Sequence, residues 1–159
     1  MTTQTRFLIN EARLAHIMGL TRCSGAGDEP ADESLTPHEV CVMQAVAYVA
    51  GEPWSDHPEC SCPVITSLMI SLNDNMTEDE RNRLLKPLVP RLVGTRSTPE
   101  VERTRALILI DWVLRVSTPR WLELVPGCQD FAARLRGLPT IDEATVAAAS
   151  AEARSVLSA

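Results

Sequence analysis

Apolar residues recur along the chain at three- and four-residue intervals, the spacing of a helix face, and nowhere alternate as in a half-buried strand. Phe7, Leu8, Ala12, Ala15 and Met18 mark a first helix over residues 6–18, with Gly19 as its terminator. Residues 22–35 are small, acidic and interrupted by Gly and Pro. They predict a flexible linker separating an N-terminal arm from the main domain. Thr36-Pro37-His38-Glu39 joins an N-cap residue, a proline at the first helical position and a glutamate three residues on. It opens a helix that Gly51 and Pro53 close near Ala50. Beyond a loop over 52–61, Cys62-Pro63 starts another helix, with Val64, Ile65, Leu68, Met69 and Leu72 on one face until Asn73-Asp74-Asn75.

Thr77-Glu78-Asp79-Glu80 is a second capping box, and its helix is expected to break or kink at Pro87 and Pro90. Ser97-Thr98-Pro99-Glu100 opens the longest apolar helix, over 100–116. A short one from Thr118-Pro119 to Leu124 follows, then helices over 129–136 and 141–157. Leu107, Ile108, Trp112 and Val116 form the stripe of the long helix expected to be buried, so truncating Trp112 should cost about 3–5 kcal/mol. Asp111 and Arg115, four residues apart, are read as an ion pair on a polar edge shared with Glu100 and Thr104. The fold class is all-α, a compact irregular bundle of short antiparallel helices. Three parts are expected: an N-terminal helical arm with its acidic linker over 1–35, a helical core domain over 36–140, and an alanine-rich C-terminal helix over 141–159.

Composition adds bounds. A chain of 159 residues, 45% hydrophobic and 4% aromatic, supports about one globular domain and excludes wholesale disorder. No apolar run reaches the roughly 20 residues of a membrane span, and Met1–Arg6 lacks the start of a signal peptide, so a cytoplasmic protein is expected. Five cysteines, an odd count, fit free thiols in a reducing compartment. The net charge of -6 is unevenly spread. Residues 1–80 hold three Arg/Lys against thirteen Asp/Glu, whereas residues 81–120 hold nine against three. Internal pairing of the two halves is the favoured reading, and a basic patch of Arg91, Arg96, Arg103 and Arg120 offered to an acidic protein the sharper one. Overall acidity argues against nucleic acid as a partner.

Three segments carry a resemblance. They are Asp56-His57-Pro58-Glu59-Cys60-Ser61-Cys62-Pro63-Val64-Ile65 leading to Leu72-Asn73-Asp74, then residues 84–96 from Leu84-Leu85-Lys86-Pro87 to Gly94-Thr95-Arg96, and Asp111-Trp112-Val113-Leu114-Arg115 with Thr118-Pro119-Arg120-Trp121-Leu122. Over most of residues 40–140 the chain resembles a family of small bacterial and phage hypothetical proteins with no assigned biochemical activity. The resemblance implies a bacterial or phage intracellular setting and supplies no catalytic residues.

Candidate chemistry centres on residues 57–62. Cys41, His57, Cys60 and Cys62 would make a Cys₃His set for structural zinc if their segments met, although no cysteine pair has the usual finger spacing. Cys62, ahead of Pro63, would N-cap a helix whose dipole favours a thiolate, so Cys60 or Cys62 beside His57 is also a candidate nucleophile. Asp111 is the alternative as a general base. No phosphate-binding, dinucleotide, metalloprotease or EF-hand motif is present. The expectation is a non-catalytic intracellular protein-binding or scaffold module that needs no cofactor. A small zinc-stabilised binding domain is the alternative, and a thiol- or carboxylate-dependent enzyme the second alternative.

Overall fold

Helix α2 (Val42–Ala50) is apolar at all but one position, and a helix hydrophobic on every side belongs in the middle of a core. Val42 to Ala47 and Val49 are buried. The one amide, Gln44, turns back so that its Oε1 accepts the Cys41 amide at 2.9 Å, while Cys41 Sγ caps the Gln44 amide. In this computed structural model, which describes residues 8–22 and 40–157, the backbone is all-α. Among the described residues no strand forms, and extended backbone pairs only as an isolated parallel bridge between Leu20 and Val40. The linker expected over 22–35 and the capping box expected at Thr36–Glu39 fall almost wholly outside the described residues.

Two compact units make up the chain, Met1–Thr98 and Pro99–Ala159. The division falls inside the 36–140 span expected to be one domain. In the first unit, α1 (Glu11–His16), α2, α3 (Pro63–Asn75) and α5 (Val89–Leu92) contribute to one apolar cluster, and the short α4 (Glu78–Glu80) leads from α3 towards α5. Gly51 ends α2 in the left-handed region, at φ 74°, as its sequence position predicts.

Residues 8–22 are not a detached arm. Ile17 and Leu20 lie in the same cluster as α2, and the Asn10 amide donates to Val49 O at 3.0 Å. Polar side chains clasp the segment. Asn82 Oδ1 accepts the Leu20 amide at 2.8 Å, Asn73 Nδ2 donates to Thr21 O at 2.8 Å, and Lys86 Nζ donates to Met18 O at 2.9 Å. Asn73 is fully buried, and its Oδ1 also accepts the Val42 amide at 3.1 Å. One side chain thereby ties three segments together.

The expected break at Pro87 does not occur. The backbone remains helical from Glu78 to Leu92 by widening to a π turn over Arg81–Leu85 and tightening to a 3₁₀ turn over Lys86–Leu88. The second unit repeats the device. Helix α6 (Pro99–Trp112) passes through a π turn over Val113–Ser117 into α7 (Thr118–Leu122), so Pro119 lies inside one helical run. A proline lacks the amide that would close an α turn, and a wide turn just before it absorbs the mismatch.

Helices α8 (Gln129–Arg136) and α9 (Val146–Leu157) complete the second unit. The last helix begins at Val146, later than the expected Ile141, because Thr140–Thr145 folds into a capping turn in which Asp142 Oδ1 accepts the Ala144 and Thr145 amides. It belongs with residues 99–140: α9 packs on α8, and Asp111 Oδ1 holds the Ile141 amide at 2.9 Å. The buried residues of this unit are few and mostly small, namely Pro119, Ala132, Leu135, Ile141, Ala149 and Val156.

Candidate functional site

Leu107-Ile108-Leu109-Ile110 places four apolar side chains on one full helical turn, so a helix packed on one side must expose some of them. The polar edge decides which side packs. Asp111 reaches Ile141 and Arg115, Arg115 also reaches Thr140, and Arg103 pairs with Glu143, so this edge faces the segment before α9. The exposed apolar side chains flank this edge, Ile108 being three residues before Asp111 and Trp112 next after it. Helix α6 has no buried residue; Ile108 is 64% exposed and Trp112 48%. Beyond the wide turn, Trp121 is 70% exposed and Leu124 74%.

Trp112 is therefore not the core side chain its stripe predicts, and Ile108 is more exposed still. The stripe reading fails because the four consecutive apolar residues Leu107–Ile110 ring one turn of the helix and single out no inner face. Trp112 and Trp121, nine residues apart, are both exposed, each with an exposed aliphatic neighbour in sequence, Ile108 and Leu124. The run of four apolar residues was the sequence signal for the exposure of Ile108.

The sequence-derived basic patch is spread across both units. Arg91 and Arg96 are exposed in the first, and Arg103 and Arg120 in the second. Arg103 is engaged with Glu143 at 3.3 Å, and exposed Arg120 adjoins Trp121. Other basic residues of 81–120 act locally: Arg115 pairs with Asp111 at 2.9 Å, while Arg81 and Lys86 bind backbone carbonyls.

The four candidate zinc ligands point to separate partners. Cys41 caps α2 from within the core, and Cys62 is buried at the N-cap of α3 with its amide donating to Thr95 Oγ1 at 3.1 Å. Cys60 is buried, and its backbone carbonyl accepts the Arg96 amide. His57 is exposed and bonds Asp56 at 2.8 Å. Among the described residues no three His, Cys, Asp or Glu side chains converge as metal ligands.

Thiolate chemistry at Cys60 is opposed by its surroundings. Burial first, and then the nearby Glu52 carboxylate, push the Cys60 thiol from 9.0 up to about 12, so the thiolate a nucleophile needs is scarce at neutral pH. A thiol with a raised folded value stabilises the fold below its unfolded value, and this contribution is lost as pH rises from 9.0 towards 12. The stability advantage of wild type over Cys60→Ala should accordingly shrink across that range in urea titrations, and a constant gap would refute the assignment.

Asp111 is held low, first by the Arg115 hydrogen bond and then by the Ile141 amide. That is the environment of a structural carboxylate, not of a base that must take up a proton. Its depressed value stabilises the second unit at neutral pH, and the contribution is lost as pH falls below the ordinary carboxylate range of about 4. Thermal melts of Asp111→Asn should show a weaker acid dependence than wild type between neutral pH and pH ~3. Equal dependence would show that the pair is inert.

Among the described residues no helix is long and apolar enough to cross a membrane. No family model, curated protein or solved structure matches the chain.

Proposed function

We propose that this chain is a non-catalytic protein-interaction module whose docking surface is the outer face of α6 together with the Trp121–Val125 turn. The exposure of Trp112 and Trp121 beside Ile108 and Leu124 carries this reading. Large aromatic side chains cost little entropy to immobilise and dominate binding energetics when a partner covers them. Two of the groups considered for catalysis sit in surroundings that oppose it: burial and Glu52 push the Cys60 thiol up, and Asp111 is ion-paired with Arg115. Free thiols at Cys41, Cys60 and Cys62 accord with a reducing cell interior, and the resemblance of residues 56–65 and 84–96 accords with a bacterial or phage one.

Photo-cross-linking from position 121 of the full chain in its producing cell tests the surface. The expected result is one or two discrete protein adducts that vanish when Leu124→Asp is added. Absence of any adduct from a folded chain would overturn the reading.

A further inference from the structure

We infer that residues 8–22 are a tethered peptide ligand, and that the surface holding them is a peptide-binding site that accepts the same sequence supplied in trans. The site lies within the first unit, so the inference stands or falls apart from the exposed surface of the second.

The segment is held as a bound peptide is held. Helix α1 buries no residue, so it brings no core of its own. Between Met18 and Thr21, five main-chain groups are taken up by the rest of the unit. Lys86 Nζ donates to Met18 O, Asn82 Oδ1 accepts the Leu20 amide, and Arg81 Nε donates to Leu20 O. Asn73 Nδ2 donates to Thr21 O, and the Thr21 amide donates to Val40 O at 2.9 Å. Contacts of this kind recognise a backbone whatever side chains it carries, and specificity falls to the few side chains that enter pockets. Here those are Ile17 and Leu20, both buried, while Met18 between them is 67% exposed. Four residues before Ile17, Arg13 Nη1 donates to Tyr48 O at 3.0 Å, and the guanidinium lies 5.0 Å over the Tyr48 ring. The ligand pattern is therefore Arg-x-x-x-Ile-x-x-Leu.

The receiving side chains are positioned by contacts that leave the segment out. Arg81 is also held by Asn73 O and Met76 O at the end of α3, and Asn73 Oδ1 by the Val42 amide. Arg81 and Asn82, which take both main-chain groups of Leu20, open the π turn over Arg81–Leu85. Wide turns of this kind recur at functional sites. Since Ile17 and Leu20 complete the apolar cluster, binding of the segment is coupled to folding of the unit.

Seventeen residues, 23–39, connect the segment to Val40. A tether of that order holds its ligand at a roughly millimolar effective concentration, so a free peptide displaces an intact segment only near that level. Alanine at Leu20 weakens the tethered copy about a hundredfold and moves the point of exchange to roughly ten micromolar.

A fluorescent synthetic peptide of residues 8–22, titrated into the full chain carrying Leu20→Ala, tests the inference. Its anisotropy should saturate at tens of micromolar, and the melting midpoint of the variant should rise towards that of wild type. The wild-type chain should bind none of it below about 1 mM. A peptide carrying Leu20→Ala should bind at least about tenfold more weakly, and one carrying Met18→Ala as well as the native sequence. A protease site inserted after Gly27 of the otherwise native chain gives a second measurement that needs no core substitution. After cleavage the two fragments should elute together at micromolar concentration, and the labelled peptide should exchange into the complex. Fragments that separate on cleavage, no saturable binding up to about 1 mM, or binding indifferent to Leu20→Ala in the peptide would overturn the inference.

Discussion

Arg81→Met is expected to lower the stability of the first unit by about 4 kcal/mol, although the substitution keeps most of the side-chain volume. Arg81 is buried, and no carboxylate pairs with it among the described residues. Its guanidinium donates to three backbone carbonyls instead: Nη1 to Asn73 O at 3.0 Å and to Met76 O at 2.6 Å, and Nε to Leu20 O at 3.3 Å. Asn73 and Met76 end α3, whose last carbonyls have no helical partners and carry the negative end of the helix dipole. The cation is therefore stabilised by oriented dipoles, and its removal leaves three acceptors dry. Each hydrogen bond to a charged group contributes about 1.5–3 kcal/mol, and the three share one donor group, so the expected loss lies below their simple addition. Arg81→Lys should recover only part of it, because a single ammonium cannot span carbonyls approached from two sides of a planar fork. Urea unfolding followed through Trp54, in a chain with Trp112 and Trp121 replaced by Phe, isolates the first unit. A loss under about 1 kcal/mol, the range of an ordinary surface change, would refute the role.

Leu20→Ala should cost the first unit about 3 kcal/mol, whereas Trp112→Ala should cost the second less than about 1 kcal/mol. Leu20 is wholly buried in the cluster built around α2, and alanine there leaves a cavity that the clasp of Asn73, Asn82 and Arg81 holds open. Trp112 is half-exposed and leaves no cavity. Truncation of residues 1–22 should abolish the cooperative transition of the first unit altogether, since it removes Ile17 and Leu20 from the core and strands their polar partners. Equal costs for the two point substitutions, or a truncated chain that unfolds cooperatively at the wild-type midpoint, would contradict the packing.

These outcomes mark where the fold was legible in the sequence. The starts of α3 at Pro63 and of α4 after Thr77 were readable because caps and prolines act within one turn. The seating of residues 17–21 was not. It depends on Asn73, Asn82 and Arg81, which as letters read as a helix terminator and two solvated positions, and their partners lie about 50–60 residues away. The Cys/His cluster misled for a related reason: spacing fixes how close two backbones are and leaves open where each side chain points. Cys60 and Cys62 are two apart and face different surroundings, one beside Glu52 and one at a helix start. The outer face of α6 was half legible, because four consecutive apolar residues announce that one is exposed without saying which.

The π turn over Val113–Ser117 amounts to a one-residue insertion that the helix has absorbed without unwinding. Excising one residue there, Ser117 for example, would return the backbone to α pitch and leave the downstream residues at nearly the same azimuth, because the wide turn holds just the one residue more. Pro119 would then be driven against the carbonyl four residues back, with the wide turn that accommodates it gone. The loss of one residue in this turn is thus nearly silent in azimuth and is felt at the proline, so a homologous chain without the extra residue is expected to lack the proline too.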